Sequence, residues 1–147
     1  MWLEITTLLI PGLNDSDDEI DDMTTWVVDN LGRDVPHHFT AFHPDYKMRD
    51  RSPTPSETLT RAREIALRNG ERHVYTGNVH DRAGQTTYCH GCGGLIIERD
   101  WYRLGAWNLD GAGRCAACGV ACAGVFEAVP GNWGARRQPV RLADAAT

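Results

Sequence analysis

The sequence predicts an α/β protein in which a parallel strand–helix–strand–helix–strand unit is followed by a small cysteine-rich module. Three short apolar runs alternate with two stretches of helical periodicity, and four cysteines stand in two C-x-x-C pairs further along the chain. Strands and helices that alternate in this way form parallel sheets with right-handed crossovers. We assign residues 1–80 to the first unit, 84–127 to the cysteine-rich module and 128–147 to a tail.

The first predicted strand covers residues 2–10, because it ends in a continuous apolar run that a Pro-Gly pair stops. A helix is expected to follow, since Ser16 and Glu19 form a capping box in which each side chain bonds the other's backbone amide. Apolar residues then recur at helical spacing until Gly32, a favourable residue just past a helix end. The acidic residues around this helix start are explained by the positive end of the helix dipole.

The same pattern is repeated once more. A second strand is predicted at 38–43, and Thr54-Pro55-Ser56-Glu57 resembles a second capping box with proline at the first helical position. The apolar stripe of this second helix stops at Asn69-Gly70, and a third strand is predicted at 73–76.

This first unit is predicted to be incomplete. Three parallel strands with two helices leave strand edges unpaired, and parallel sheets are normally buried on both faces. The chain also starts almost directly in its first strand. We therefore expect residues 1–80 to be the last portion of a larger β/α sheet, the remnant (βαβαβ) of a partial parallel β/α barrel.

The cysteine pairs predict a structural metal site. A glycine follows each C-x-x-C pair, 22 residues separate the two pairs, and the cysteines are Cys89, Cys92, Cys115 and Cys118. Zinc takes four thiolates in a tetrahedron, and a C-x-x-C turn brings two sulfurs together without strain. The sequence therefore predicts a zinc ribbon, with strands at 95–97 and 101–107 and a turn at 110–113.

Other uses of the cysteines fit the sequence less well. Disulfides are disfavoured, because nothing at the amino terminus resembles a signal peptide and five cysteines leave an odd thiol; a reducing, cytoplasmic location follows. Cys122 extends the second pair to C-x-x-C-x-x-x-C, but an iron–sulfur cluster there would leave the first pair without partners. We expect Cys122 to be a small buried residue or a spare thiol, and His90, inside the first pair, to face solvent.

Composition excludes two classes of function. No apolar run approaches the roughly 20 residues needed to span a membrane. The net charge is −5, and the ribbon balances three arginines against three acidic residues. Nucleic-acid binding needs a basic face that replaces condensed counterions, so we expect no nucleic-acid partner.

Four motifs in order along the chain indicate a family. They are L-I-P-G-L-N-D at 9–15, H-F-T-A-F-H-P at 38–44, Y-T-G-N-V at 75–79 and the paired C-x-x-C-G knuckles. Together they resemble the carboxyl-terminal part of the AmmeMemoRadiSam system radical S-adenosylmethionine enzyme, a family similar to the activating enzymes of pyruvate formate-lyase. The resemblance covers essentially the whole chain.

The resemblance implies a partial barrel in which a [4Fe–4S] cluster cleaves S-adenosylmethionine to a 5′-deoxyadenosyl radical. This chain departs from the family pattern, because the cluster-binding C-x-x-x-C-x-x-C and the G-G-E-P-like segment are both absent. We therefore expect a fragment that binds zinc but does not cleave S-adenosylmethionine alone. The alternative is a stand-alone zinc-ribbon scaffold or protein-interaction module.

Some cofactor-binding residues are implied by the resemblance. Ile10, Pro11 and Gly12 match the family's segment that lines the adenosine pocket, and His43 matches a histidine at the mouth of the next strand. His43 could equally be a histidine that merely ends a strand, and the pair at 37–38 offers weaker candidates. The expected partners are the missing barrel portion or another protein chain, and the family context suggests Memo-like and AMMECR-type proteins.

Overall fold

The protein is described by a computed structural model that covers residues 2–131 and 134–136. Within these ranges the elements are β1 (Ile5–Leu9), α1 (Asp17–Leu31), β2 (His37–Ala41), α2 (Ser56–Asn69), β3 (Val74–Gly77), α3 (Arg82–Gln85), β4 (Thr87–Tyr88), β5 (Leu95–Asp100) and β6 (Arg103–Trp107). They form a parallel sheet in the order β1-β2-β3 and a separate antiparallel sheet in the order β4-β5-β6. The predicted α/β class and the βαβαβ order are confirmed.

The parallel sheet buries one face against the two long helices. Burial alternates along β2, where Phe39 and Ala41 are buried and Thr40 between them is only partly covered. Leu9 of β1 and Val74 of β3 lie in the same core cluster as Phe39, together with apolar side chains of both helices. The helix residues of this cluster are Ile20, Leu59, Ala62, Ile65 and Ala66. The second helix thus buries the stripe that its sequence predicts.

Both outer strands of the parallel sheet, β1 and β3, pair on one side only within the described residues, and β1 is the more exposed at its start. Strand β1 is a terminal strand of the sheet, and within residues 2–131 only β2 pairs with it. Thr6 and Leu8 of β1 are exposed, and so is Trp2 just before the strand, with 57% of its surface accessible. An exposed parallel edge strand carries unpaired backbone groups, which proteins normally cover.

The first helix begins and ends as its sequence predicts. The hydroxyl of Ser16 accepts a hydrogen bond from the amide of Glu19 at 3.3 Å. At the other end, Gly32 has φ of 94°, and its amide donates to the carbonyls of Val27 and Val28. Positive φ carries little strain at glycine, so the chain can leave the helix there.

The prediction of a second capping box is wrong. Pro55 is the residue that precedes α2, and no side chain caps the helix start. The hydroxyl of Thr54 instead donates to the carbonyl of Leu9 at 2.6 Å and accepts from the amide of Phe42 at 2.9 Å. Thr54 is buried against the carboxyl ends of two strands, and these tertiary partners take the hydroxyl away from the helix.

Other element boundaries also differ from the sequence prediction, among them those of β3 and β5, which are Val74–Gly77 and Leu95–Asp100 in place of 73–76 and 95–97. Both β1 and β2 are shorter than the predicted 2–10 and 38–43. The segment 81–85, where the sequence predicts a linker without regular structure, contains the short helix α3; the carboxylate of Asp81 accepts a bond from the amide of Gly84 at 2.9 Å. The second ribbon strand starts at residue 103 rather than 101, since Trp101 has φ of 53° and lies in the turn.

The antiparallel sheet has a core of its own. Ile96 and Ile97 of β5 pack in one cluster with Leu109 and the buried sulfurs of the cysteine-rich module. Trp107 and Phe126 pack at the edge of this cluster, with their ring centroids 6.3 Å apart. The six buried residues of the cluster include three cysteines, so this core is small.

The two sheets meet along β3 and β4. The hydroxyl of Tyr75 lies 2.9 Å from the hydroxyl of Thr87, and the guanidinium of Arg99 lies over the Tyr75 ring at 5.7 Å from its centroid. The ring of His38 also stacks on the ring of Tyr75, with the two centroids 5.1 Å apart.

The sequence also predicts a tail at 128–147 and no membrane-spanning segment. Of the predicted tail, residues 137–147 and 132–133 lie outside the described residues. Among the helices that are described, none has the length and apolar character that crossing a bilayer requires.

Candidate metal centre

The two cysteine knuckles have the same backbone geometry. In the first, the amide of Gly93 donates to the carbonyl of Cys89 at 2.8 Å; in the second, Gly119 donates to Cys115 at the same distance. Both glycines have positive φ, 72° and 76°, which closes each turn after its second cysteine. Two distant segments therefore form equivalent turns, each of which presents two sulfur atoms.

The four sulfurs converge on one point. The Sγ atoms of Cys89, Cys92, Cys115 and Cys118 all lie within 4.8 Å of one another. Across the two knuckles, Cys89 and Cys118 are 3.5 Å apart, and Cys92 and Cys115 are 3.8 Å apart. Zn–S bonds of about 2.3 Å in a tetrahedron separate the sulfurs by about 3.8 Å, so the donor set fits a divalent metal such as zinc.

The protonation of these thiols is uneven. Burial raises the pKa of Cys89, but backbone amides of Cys92 and Gly91 donate to its sulfur and bring the pKa down to about 7. The amide of Val120 lowers the pKa of Cys118, yet the neighbouring thiols raise it to about 12. Four close sulfurs cannot all ionise without a cation, and a divalent metal supplies the charge that lets them do so.

Two further side chains near the centre, those of Cys122 and His90, have the burial that the sequence predicts. Cys122 is buried and does not belong to the four-sulfur group, and burial raises the pKa of its thiol. His90 is exposed within the first knuckle. All five cysteines are free thiols. The structure thus brings four sulfurs together and leaves the fifth outside that group, in the same small core.

The residues implied as cofactor ligands lie at the carboxyl edge of the parallel sheet. Ile10, Pro11 and Gly12 form the turn that follows β1, and His43 follows β2 and is exposed. Because Leu9 pairs with Ala41, both segments leave the sheet side by side.

Side chains fix the shape of this turn. The amide of Ile10 donates to Asn14 Oδ1 and that of Gly12 to Asp15 Oδ1, both at 2.7 Å. Arg51 donates to the carbonyl of Pro11 at 3.0 Å. The two turn amides are therefore bonded within the loop, and the turn is held rigidly.

The weaker histidine candidates have different surroundings. His37 is fully buried, with Nδ1 3.1 Å from a carboxylate oxygen of Glu71 and Nε2 2.8 Å from the hydroxyl of Thr7. These contacts tie β1, β2 and the end of α2 together, which is a role in packing. His38 is half-buried, and burial lowers its pKa.

Sequence reasoning missed two clefts at the amino-terminal ends of the parallel strands. One, of about 610 Å³, lies between the sheets and is lined by residues that include Trp2, His38, Tyr75 and Arg99. The other, of about 600 Å³, is lined by several arginines and by the first knuckle. Each cleft draws its lining from segments far apart in sequence, so no local pattern marks it.

Comparison with known proteins identifies one curated relative. An uncharacterized protein of Methanocaldococcus jannaschii, MJ0808, is 46% identical to this chain over 120 residues. The aligned stretch covers 81% of this chain but 36% of that protein, so the chain spans about a third of the length of its relative. No protein-family profile matches the chain. No solved structure matches it either.

Proposed function

We propose that this chain is the carboxyl-terminal part of a radical S-adenosylmethionine enzyme of the AmmeMemoRadiSam type, and that its four-cysteine centre is a structural zinc ribbon. In this proposal the [4Fe–4S] cluster is held by residues outside the chain. The observation that carries the proposal is the open parallel sheet, whose terminal strand β1 is unpaired on one side.

The sheet supports the proposal because the outer edge of β1 is unpaired among the described residues. Parallel sheets are normally covered on both faces, yet Thr6 and Leu8 are exposed on the face of β1 that turns away from the helices. Further strands added beside β1 would pair that edge and extend the sheet toward a barrel. The relative's greater length leaves room for such strands.

The cysteine centre supports the structural role of the metal. Four sulfurs leave no open coordination position, and structural zinc sites are closed in this way whereas catalytic ones keep a position for water. The small core of the antiparallel sheet also needs the metal for its stability. The zinc would therefore hold the module together and take no part in the reaction.

The carboxyl edge of the parallel sheet would supply contacts to the cofactor. Ligands of parallel β/α folds bind beyond the carboxyl ends of strands, where the turn at Ile10–Gly12 and His43 lie. When bound, S-adenosylmethionine would supply the radical precursor. The rigid turn would shape one wall of the adenosine pocket, and the exposed His43 imidazole would donate a hydrogen bond to a carboxylate.

The test compares this chain with its longer relative. Both proteins are purified anaerobically, reconstituted with iron and sulfide, and assayed for cluster absorbance, zinc content and 5′-deoxyadenosine formation. We expect about one zinc in each protein, with a cluster and S-adenosylmethionine cleavage in the relative alone. Failure of the reconstituted relative to hold a cluster would refute the enzyme proposal, and a chain that binds no zinc would refute the ribbon.

A second candidate function is a protein-interaction module, which the tip of the β5–β6 hairpin favours. Trp101 and Tyr102 are 51% and 69% exposed there, and Leu104 beside them is 38% exposed. Aromatic side chains of this kind are enriched at protein interfaces. The family context makes Memo-like and AMMECR-type proteins the partners to try.

This candidate is tested with purified partners. Isothermal titration of the chain with a Memo-like or an AMMECR-type protein should show binding, and Trp101→Ser with Tyr102→Ser should weaken it about tenfold or more. Trp26→Ser is the matched control, since Trp26 is an equally exposed tryptophan on α1. Equal loss in the control variant would argue against the hairpin tip as the contact surface.

A further inference from the structure

A basic cleft of about 600 Å³ lies between the end of α2, the start of β3 and the first cysteine knuckle. The residues that define this basic cleft for the argument below are Arg33, Arg63, Arg72, His73, Tyr88 and His90. They come from the loop after α1, from α2, from the turn before β3, from β4 and from the first knuckle. Its volume lies in the range of small-molecule sites in proteins.

The charge of the basic cleft is not balanced by its own lining. Glu71 is the carboxylate among the lining residues, and it is buried against the imidazole of His37. Asp34 pairs with Arg72 at 3.0 Å. No acidic side chain within residues 2–131 lies within ion-pair distance of Arg33 or Arg63, so two guanidinium groups remain without a counter-charge.

A buried imidazole in the basic cleft also lacks a partner. The side chain of His73 is 4% exposed, and its Nε2 has no hydrogen-bond partner among the described residues. The nearest carboxylate oxygen, on Asp34, is 3.8 Å away, which is too long for a hydrogen bond. A buried polar atom without a partner costs free energy, and a bound ligand that accepts a hydrogen bond would remove that cost.

An aromatic ring stands beside the uncompensated charge. The guanidinium of Arg63 lies 5.8 Å from the ring centroid of Tyr88, and its Nε donates to the carbonyl of Val74 at 3.0 Å. These two contacts hold Arg63 in place at the wall of the cleft. Arg33, by contrast, is exposed and can turn toward a ligand.

We propose that the basic cleft binds a phosphate monoester whose organic part is planar or apolar. Arginine forks match the geometry of phosphate oxygens, and His73 adds one neutral donor. Burial lowers the pKa of His73, so its ring is neutral near pH 7 and can donate one N–H to an oxygen of the phosphate. Tyr88 offers the surface against which the organic part would lie.

The proposal is tested by isothermal titration of the zinc-loaded full chain with three probes: adenosine monophosphate, inorganic phosphate and adenosine. We expect the nucleotide to bind most tightly, phosphate more weakly and adenosine not measurably. Raising the salt concentration should weaken the binding of the nucleotide, because the contacts are ionic. Adenosine that binds as tightly as the nucleotide, or a nucleotide that does not bind, would overturn the proposal.

Matched variants locate the binding. Arg33→Gln and Arg63→Gln should each weaken nucleotide binding about tenfold or more. Arg68→Gln should leave it unchanged, since Arg68 also lies on α2 but pairs with Asp21 outside the basic cleft. If Arg63→Gln fails to fold, the binding measured with Arg33→Gln tests the proposal by itself, because the side chain of Arg33 is exposed and its replacement should leave the fold intact.

A competing explanation is that the arginines only offset the charge of a metal held by four thiolates, since Cys89 also lines the basic cleft. In that case Arg33→Gln would release zinc more readily in a chelator titration and would leave nucleotide binding as it is in the natural chain. That result would overturn the proposal. Loss of nucleotide binding with full zinc content supports it.

Discussion

The sulfur atoms of the four knuckle cysteines lie within 4.8 Å of one another, whereas the fifth cysteine lies apart from them. All five have the same chemistry, so position alone separates the four candidate ligands from the fifth thiol. Cys89 and Cys115 are buried and the second cysteine of each knuckle is exposed. Each knuckle thus anchors one sulfur in the small core and presents the other at the surface.

We expect serine substitutions to separate these roles. Cys92→Ser and Cys118→Ser remove one ligand each, and zinc content should fall from about one per chain to near zero after dialysis. Cys122→Ser should keep its zinc, because Cys122 lies outside the four-sulfur group. Elemental analysis of the dialysed proteins measures this. Zinc retained by both knuckle variants would contradict the assignment.

The buried His73 and the half-buried His38 should respond to pH. Burial lowers the pKa of both His38 and His73 below the ordinary value of about 6.5. The folded state therefore binds fewer protons than the unfolded state as the pH falls through that value, so this contribution to stability is present above about pH 6.5 and lost below it.

Imidazole NMR of the zinc-loaded chain checks the direction of these shifts. Resonances of His38 and His73 should titrate at lower pH than those of a histidine in a short peptide. Assignment by His38→Gln and His73→Gln identifies the two signals. Midpoints at or above the peptide value would show that burial does not control the charge of these rings.

At the scale of the element, the two helices start in different ways. Ser16 caps α1 as its sequence predicts, because its partner Glu19 lies three residues away and no tertiary contact competes. Thr54 likewise has a glutamate three residues on, but Pro55 takes the cap position of α2 and the Thr54 hydroxyl bonds the backbone of β1 and of the segment after β2 instead. A local signal therefore predicts a cap only where the side chain has no better partner in space.

Replacing Thr54 should cost more than replacing an exposed threonine. Thr54→Val leaves the carbonyl of Leu9 and the amide of Phe42 buried without their partner, so the free energy of unfolding should fall by about 1–3 kcal/mol. Thr60→Val on the exposed face of α2 should change it by less than about 0.5 kcal/mol. Urea denaturation of both variants measures the difference, and equal costs would contradict the bridging role.

At the scale of the whole molecule, the two sheets have separate cores. The parallel sheet packs on two helices through a cluster of apolar side chains, whereas the core of the antiparallel sheet includes cysteines of the candidate metal centre. The sheets touch through a few polar and aromatic contacts around Tyr75. Stability of the second unit should therefore depend on the metal, and that of the first should not.

Removing the metal should unfold one unit selectively. Structural zinc contributes about 10–16 kcal/mol of apparent free energy in small domains, so a chelator should abolish amide protection in β5. Amides of β2 should stay protected, since its partners and its core lie outside the metal centre. Hydrogen exchange followed by mass spectrometry measures the amide protection of β5 and of β2 separately. Loss of protection in both strands together would show that the sheets unfold as one unit.

The sequence by itself determined the order of strands and helices and the two cysteine knuckles, because each depends on residues within one turn or one periodic stretch. The four motifs that suggest a family are local in the same sense. The limits of β1 and β2 differ from the sequence prediction, since pairing between the two strands rather than composition sets where they end.

Only the tertiary structure decided which charged side chains meet. His37 is buried against Glu71, 34 positions away, and Thr54 reaches β1 across 45 positions. The arginines of the basic cleft lie in three separate segments of an acidic chain, so a count of charges along the sequence shows no basic face. Local spacing fixes secondary structure, whereas the folding of distant segments onto one another creates clefts, charge clusters and the open edge of β1.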